Sequence, residues 1–241
     1  MDRREWAPLV AEGVGTFLFF FVGAGSVVLN DFPLPGGGLG GGLLGVAIAH
    51  GLVLGVLVSA LGAVSGGHFN PAVTAGVWIA GRISAAKAGL YVVAQLVGAV
   101  IAGLALRLVF PEAAWSPSHI GTPALGPGIT PAIGIVTEAI MTMVLLFAVF
   151  GTAIDPRGPR ICGLAIGFAI LADILVGGPL TGAAMNPARW FGPAVASGHL
   201  DDFYVWIAGP LVGAAIVAGL YRYLLAPEAD PARAAGSPSP N

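Results

Sequence analysis

Long apolar runs alternate with short polar segments along the whole chain. Six runs approach or exceed the length of about 20 apolar residues that a bilayer-spanning helix needs. They lie at roughly 7–29, 43–64, 85–109, 131–152, 161–177 and 203–225. Two further apolar runs, at about 70–80 and 186–196, are half as long, and each begins at an Asn-Pro-Ala triplet. The pattern predicts an all-α membrane protein with six transmembrane helices and two re-entrant half-helices.

The composition supports a chain embedded in lipid. Its 241 residues are 56% hydrophobic and only 9% charged, with a mean hydropathy of +0.90. A soluble domain carries about 25% charged residues, so this chain lacks the charge for a solvated surface. The net charge of −2 suggests no nucleic-acid partner, and the single cysteine, Cys162, excludes an intrachain disulfide framework. We interpret the first run as a retained helix and the Pro- and Ala-rich residues 226–241 as a disordered tail.

Charged residues separate the loops into two groups. The loops and termini on one side carry basic residues, namely Arg3, Arg4, Arg82, Lys87, Arg157, Arg160, Arg222 and Arg233. The loops on the other side carry the acids Asp31, Glu112, Asp201 and Asp202. Because cytoplasmic loops are enriched in Lys and Arg, we expect both termini in the cytoplasm. The short termini and the Lys-poor composition favour a bacterial plasma (inner) membrane.

The chain also contains an internal repeat. A Glu-x-x-x-Thr motif opens the first span of each half, with Glu12 and Glu138 offset by 138 − 12 = 126. The triplet asparagines, Asn70 and Asn186, are offset by 186 − 70 = 116. Three spans per half is an odd number, so the halves have inverted topology, which points to a pathway at the midplane. The prediction is one channel domain, 1–241, with repeats at about 7–109 and 131–225.

Each triplet has the features of a helix start. The triplets are Asn70-Pro71-Ala72 and Asn186-Pro187-Ala188. Proline suits the first helical turn, and the asparagine before it is a natural N-cap. One such triplet would most often be a capped packing element, whereas two at matching places favour a pore. There, two half-helix N-termini would meet and form a positive barrier, while the asparagine amides orient a passing water and break a proton relay.

The segments before the triplets are predicted to be unwound. Irregular backbone at membrane depth is tolerated where it lines a cavity or is buried in protein. We therefore expect backbone carbonyls to line the pathway at Gly66, Gly67, His68 and Gly182. These carbonyls would supply a ladder of acceptors for water.

Five motifs make the chain resemble the aquaporin (major intrinsic protein) family over about residues 7–225. They are "AEGVGTF", "SGGHFNPAVT", "AQLVGA", "MNPARWFGPAVASG" and "AGPLVGA". The resemblance implies a passive pore for water and small neutral solutes, without a cofactor, in a homotetramer with one pore per subunit. It also implies that Glu12 and Glu138 accept hydrogen bonds from the re-entrant loops and brace them.

The resemblance further implies a filter of four side chains on the extracellular side. The matching positions are His50, Ile174, Ala183 and Arg189. Ile174 and the small Ala183 imply a wider and less polar filter than in water-selective members, similar to the plant tonoplast branch. His119 matches a loop histidine that reaches the filter arginine in some of those proteins, and it is equally interpretable as a solvated loop residue. The implied solutes are water and ammonia, with a glycerol, urea or metalloid facilitator as the alternative.

Three residues depart from the family pattern. Trp190 stands where water channels usually have Ser, Ile207 where an aromatic residue is usual, and Asp173 where the plant branch tends to have Asn.

Two other classes of protein are less consistent with the sequence. A secondary transporter also uses inverted repeats and broken helices, but it needs coupling-ion ligands, and Asp173 is the one spare acid. An intramembrane enzyme is disfavoured because the sequence has no cluster of metal-binding residues.

Overall fold

The computed structural model describes residues 3–32 and 41–226, and within these ranges the chain forms helices and loops without a β-strand. The α-helices are α1 Arg3–Val28, α2 Gly42–Ser65, α3 Pro71–Ile79, α4 Ala85–Val109, α5 Glu112–Trp115, α6 Pro131–Val149, α7 Cys162–Thr181, α8 Pro187–Ser197 and α9 Val205–Leu220. Wide π-helical turns at Phe150–Ile154 and Tyr221–Leu225 extend α6 and α9. Apart from Ala226, the predicted disordered tail lies outside the described residues.

Six helices in the described ranges are long and apolar enough to cross a membrane. They are Glu5–Val28, Gly42–Ser65, Ala85–Val109, Pro131–Ile154, Cys162–Thr181 and Val205–Leu225. The predicted all-α membrane fold is therefore confirmed, with the two half-helices α3 and α8 between the spans. The fold is a ring in which α1 packs on α2 and α4, α7 on α2 and α6, and α9 on α6, with α3 and α8 closing the ring between α4 and α9.

Span five extends further than the sequence predicted. The prediction ended it at residue 177, but α7 continues to Thr181. Gly177 serves close packing, since a Cβ atom there would overlap the sulfur of Met141 on α6. The helix ends at Gly182, which adopts a left-handed conformation with φ of 75°, a conformation that glycine adopts without strain.

Glycines allow the spanning helices to approach each other closely. On α2 and α7, Gly51 and Gly55 face Gly167 and Gly163, and a Cβ atom on either α7 glycine would overlap an α2 backbone carbonyl. Small residues at such interfaces matter in lipid, where helix association depends on close packing rather than on the hydrophobic effect. These contacts hold α2 and α7 together as neighbours in the ring.

Arginines tie loops to helix ends at one end of the bundle. Arg222 Nη1 donates to the carbonyl of Ile79 at 2.7 Å, at the end of α3. Arg157 Nη2 donates to the carbonyl of Leu225 at 2.5 Å and forms an ion pair with Asp155 at 2.6 Å. These arginines belong to the group that the sequence analysis placed on the cytoplasmic side, and the structure brings them together at one end.

We expect Asp155 to support this end of the bundle throughout the physiological pH range. Hydrogen bonds from the Arg157 side chain and backbone N–H lower the pKa of the Asp155 carboxyl to about 2. A carboxyl with a lowered folded-state pKa stabilises the fold above its unfolded pKa of about 3.9 and loses that effect as pH falls through the folded value. In thermal unfolding, the difference in melting temperature between wild type and Asp155→Asn should stay constant from about pH 8 to about pH 5 and shrink towards about pH 2. A difference that grows on acidification would contradict this assignment.

Candidate pore and selectivity filter

The two Asn-Pro-Ala triplets meet inside the bundle and are cross-linked through their asparagines. Asn70 Nδ2 donates to the Met185 carbonyl at 2.9 Å, and Asn186 Nδ2 donates to the Phe69 carbonyl at 3.0 Å. Each asparagine Oδ1 also caps its own half-helix, accepting from the backbone N–H groups two and three residues further on. Because an amide group carries two N–H bonds and one is used here, each asparagine has a second donor for a molecule in the lumen.

The residues before the asparagines hold an unusual backbone conformation. Phe69 and Met185 have φ values of 47° and 53°, in the left-handed region that is uncommon for residues other than glycine. Both side chains are fully buried. This conformation turns the carbonyl of each residue towards the asparagine of the opposite loop, so the cross-link depends on local strain that the surrounding structure must hold.

The first re-entrant loop is held by the carboxylate of Glu12. Oε1 accepts from Ser65 Oγ at 2.6 Å and from the backbone N–H of His68 at 2.9 Å. Oε2 accepts from the N–H of Phe69 and from Gln95 Nε2, both at 2.7 Å. The carboxylate is fully buried, and all four donors converge on it, so it fixes the loop directly before Asn70.

Glu138 occupies the corresponding place in the second half. Oε1 accepts from Thr181 Oγ1 at 2.6 Å and from the N–H of Ala184 at 2.9 Å. Oε2 accepts from the N–H of Met185 at 2.6 Å. The two glutamates therefore hold their loops through equivalent backbone groups, as the repeat implies.

The sequence analysis missed a second layer of this brace. Tyr91 Oη donates to the carbonyl of Ser65 at 2.8 Å, and Trp206 Nε1 donates to the carbonyl of Thr181 at 3.0 Å. These pairs are related by the repeat, with offsets of 206 − 91 = 115 and 181 − 65 = 116. The nearly equal offsets were readable in the sequence, but the change from tyrosine to tryptophan concealed the shared donor role.

A cavity of about 170 Å³ lies between the triplets and the end of the bundle that carries Arg82. The sequence predicts this end to be cytoplasmic. One wall carries Gly66, Gly67, His68 and both asparagines. Apart from Arg82, the other lining residues are apolar, and most of them come from α2, α3, α6 and α7. The predicted lining position Gly182 is not part of this cavity: it lies against Pro123 of the loop between α4 and α6.

Arg189 lies on the other side of the triplets and holds two partners. Its Nε donates to His50 Nε2 at 3.2 Å, and its Nη1 donates to the Gly121 carbonyl at 2.8 Å. The arginine is buried, with 3% of its surface exposed. Among the described residues its Nη2 has no hydrogen-bond partner, so this group remains for a passing molecule. Ile174 and Ala183 are buried in the apolar cluster that includes the segment leading to Arg189.

The hydrogen bonds of His50 define its tautomer. Nδ1 lies 2.9 Å from the Val46 carbonyl, which can only accept, so Nδ1 carries the hydrogen. Nε2 receives a hydrogen bond from Arg189, which can only donate, so Nε2 is the unprotonated nitrogen. His50 is therefore neutral in this arrangement, and it presents a fixed acceptor to the arginine.

Loop residue His119 does not contact Arg189, so of the two interpretations from the sequence the structure favours the solvated loop residue over the filter residue. Its ring is exposed and stacks on His199, with centroids 4.1 Å apart and planes at 2°. His119 and Ile120 both have positive φ values, 49° and 62°, and the resulting turn buries Ile120 completely. It also directs the carbonyl of Gly121 towards Arg189. The loop therefore does reach the filter arginine, but through the backbone carbonyl of Gly121 and not through the His119 side chain.

The departures Trp190 and Ile207 lie away from the lumen. The Trp190 ring stacks on Trp206, with centroids 5.8 Å apart and planes at 6°, so it packs α8 against α9. Ile207 is 38% exposed on the outside of the bundle. The remaining departure, Asp173, is buried, and its Oδ2 has no hydrogen-bond partner in the part of the chain that the structure describes.

Six membrane-spanning helices, with two re-entrant half-helices that meet at their asparagines, define a multi-pass membrane channel. The sequence model of the family described as "Major intrinsic protein" matches residues 2–221. The chain belongs to this family, which includes the aquaporins, and it is a passive channel rather than a member of a catalytic family.

Known relatives agree with this assignment. Aquaporin TIP4-4 of Zea mays is 44% identical over 220 residues, covering 88% of this chain and 84% of the relative. Probable aquaporin TIP3-2 of Arabidopsis thaliana is 41% identical over 230 residues, covering 92% of this chain and 84% of the relative. The X-ray structure of the aquaglyceroporin from Plasmodium falciparum has the same fold, with a TM-score of 0.79 at 24% identity, and covers 92% of this chain and 97% of that one. The resemblance to the family and to its plant branch is confirmed.

Proposed function

We propose that this channel conducts water and ammonia and excludes protons and ions. The observation that carries the proposal is the asparagine pair between two facing half-helix N-termini, in which each amide keeps one N–H for the lumen. A water molecule that accepts from both amides must point its own hydrogens away from the pair. This orientation interrupts proton transfer along a file of waters, and the positive ends of the half-helices repel cations.

The proposal for ammonia rests on the filter. Arg189 and His50 supply one polar side, while Ile174 and Ala183 are apolar and buried. Two of the four filter positions offer no hydrogen bond to replace those that a solute loses when it leaves water. The free-energy cost of this desolvation is much smaller for a small neutral solute than for an ion. Selectivity in such pores follows from diameter and from the donors and acceptors that line it.

Stopped-flow measurements on one preparation of proteoliposomes test the proposal. We expect fast water and ammonia flux, with urea and glycerol slower. Fast water flux with ammonia at the level of protein-free vesicles would contradict the ammonia assignment. Fast glycerol, urea or metalloid flux would favour the second candidate, a solute facilitator, for which the apolar Ile174 and Ala183 are the supporting residues.

A cysteine introduced at the filter should make the channel sensitive to mercurials. The wild-type channel should resist mercurials, because Cys162 lies at the first turn of α7 and Ala183 follows the opposite end of that helix. The Sγ of Cys162 donates to the Thr152 carbonyl at 3.1 Å. Ala183→Cys should be blocked, because a bulky adduct at this buried position would obstruct the lumen. Osmotic shrinkage rates before and after mercury, and after addition of a reducing thiol, measure the effect.

The matched control for this experiment is Ala183→Cys combined with Cys162→Ser, which leaves the introduced thiol alone. It should be blocked as strongly as the single variant. Strong inhibition of the wild type would contradict the placement of Cys162.

We also propose a homotetramer with one pore per subunit and with both termini in the cytoplasm, in a bacterial plasma (inner) membrane. The family resemblance supports the tetramer. The cluster of Arg82, Arg157 and Arg222 at one end supports the orientation, because basic residues mark the cytoplasmic side.

A further inference from the structure

Helix α1 contributes none of the four filter side chains, yet it lies directly behind one of them. A Cβ atom on Gly23 would lie 2.6 Å from both Nε2 and Cδ2 of His50. This is the edge of the ring that accepts the hydrogen bond from Arg189. The missing side chain at position 23 is therefore what leaves room for the ring in its present position.

The His50 ring has little freedom to move elsewhere. Its Nδ1 is held by the Val46 carbonyl at 2.9 Å, and the ring packs edge-on against Phe19, with centroids 6.0 Å apart. A methyl group at position 23 would have to displace the ring from α1. The 3.2 Å bond from Arg189 would then be lost or rebuilt in a different place.

The same stretch of α1 also seats the second partner of Arg189. A Cβ atom on Gly121 would lie 2.8 Å from the Ala24 carbonyl and 3.0 Å from Cβ of Val27. The loop that carries the Gly121 carbonyl therefore rests directly on α1. Both hydrogen-bond partners of the arginine, His50 and Gly121, are positioned by residues 23–27.

We propose that Gly23 is a specificity-determining position of this channel, acting as a positioning residue through His50. Its lack of a side chain sets the His50–Arg189 pair and so the width and polarity of the constriction. The inference rests on the proposed filter role of these two residues. A methyl group at position 23 narrows the constriction, because it moves the imidazole away from α1.

The test is the ratio of ammonia to water permeability in proteoliposomes that contain Gly23→Ala. We expect the ratio to fall by about tenfold, the scale set by loss of one hydrogen bond to a charged group. Gly25→Ala is the matched control: it lies two residues further on in the same helix, and its Cβ atom would meet the flexible end of Leu106 at 3.1 Å. The control should keep the wild-type ratio, and a wild-type ratio in Gly23→Ala would overturn the proposal.

A second pair of variants shows whether the effect passes through the ring. In a His50→Ala background, Gly23→Ala should change the ratio no further, because the group it displaces is gone. An undiminished effect in that background would overturn the proposal. Should Gly23→Ala fail to fold, recovery of folding in the double variant supports the proposal, and continued failure contradicts it.

The single variant His50→Ala separates this inference from the proposed function. If His50→Ala leaves the wild-type ratio unchanged, the filter assignment itself is wrong. If His50→Ala alters the ratio and Gly23→Ala does not, the filter stands and only the role of Gly23 is refuted.

Discussion

Glu12→Gln should destabilise the channel by about 2–6 kcal/mol, since each buried donor left unsatisfied costs roughly 1–3 kcal/mol. The carboxylate receives four hydrogen bonds, two at each oxygen. Glutamine keeps one accepting oxygen but turns an NH2 group towards two of the four donors. The loop that holds Phe69 in its left-handed conformation would lose its anchor, and with it the cross-link to Asn186.

Thermal unfolding in detergent and the osmotic water permeability of the same preparation measure this effect. Thr16→Val is the matched control, one turn further along the same helix. Its Oγ1 is buried without a hydrogen-bond partner in the described ranges, so its replacement by a methyl group leaves no donor unsatisfied and should not destabilise the fold. Equal stabilities of Glu12→Gln and Thr16→Val would show that the carboxylate does not hold the loop.

Arg189→Val should remove the selection of solutes and ions while water continues to pass. The substitution takes away the positive charge and leaves His50 Nε2 and the Gly121 carbonyl without their donor. We expect urea and glycerol flux to rise by about tenfold or more, corresponding to ~1.4 kcal/mol or more of barrier. We also expect a proton or cation leak, reported by a pH-sensitive dye inside the vesicles.

Arg189→Lys separates charge from shape. Lysine keeps the positive charge but lacks the planar fork that reaches two acceptors in fixed directions. Ions should remain excluded in this variant, while solute selection weakens. Unchanged solute and ion permeabilities in Arg189→Val would contradict the assignment of Arg189 to the filter.

Sequence reasoning reached the fold because the signals were long and repeated. The apolar runs predicted six spans, and the two triplets predicted half-helices whose starts, at Pro71 and Pro187, agree with the structure. Span five, predicted to end at residue 177, continues to Thr181, and its Gly-Gly-Pro sequence is compatible with either a helix end or a close helix contact. Only the packing of Gly177 on Met141 distinguishes the two.

The filter was less accessible to sequence reasoning. Resemblance indicated His50 and Arg189, and the structure brings them into contact. The sequence offered His119 as one possible loop contribution, but the contacting group is the backbone carbonyl of Gly121, which has no signature in a sequence. Gly23 escaped notice for a related reason: its contribution is the absence of a side chain at a position that only the fold places behind His50.

The most direct test of the central claim is the rate of osmotic shrinkage of proteoliposomes over a range of temperatures, with a pH-sensitive dye inside the same vesicles. A pore built on the Asn70–Asn186 pair predicts fast water flux with a weak temperature dependence, no requirement for an ion gradient, and no proton leak above that of protein-free vesicles. Water flux at the rate of protein-free vesicles, or flux that depends on an ion gradient, would contradict the account.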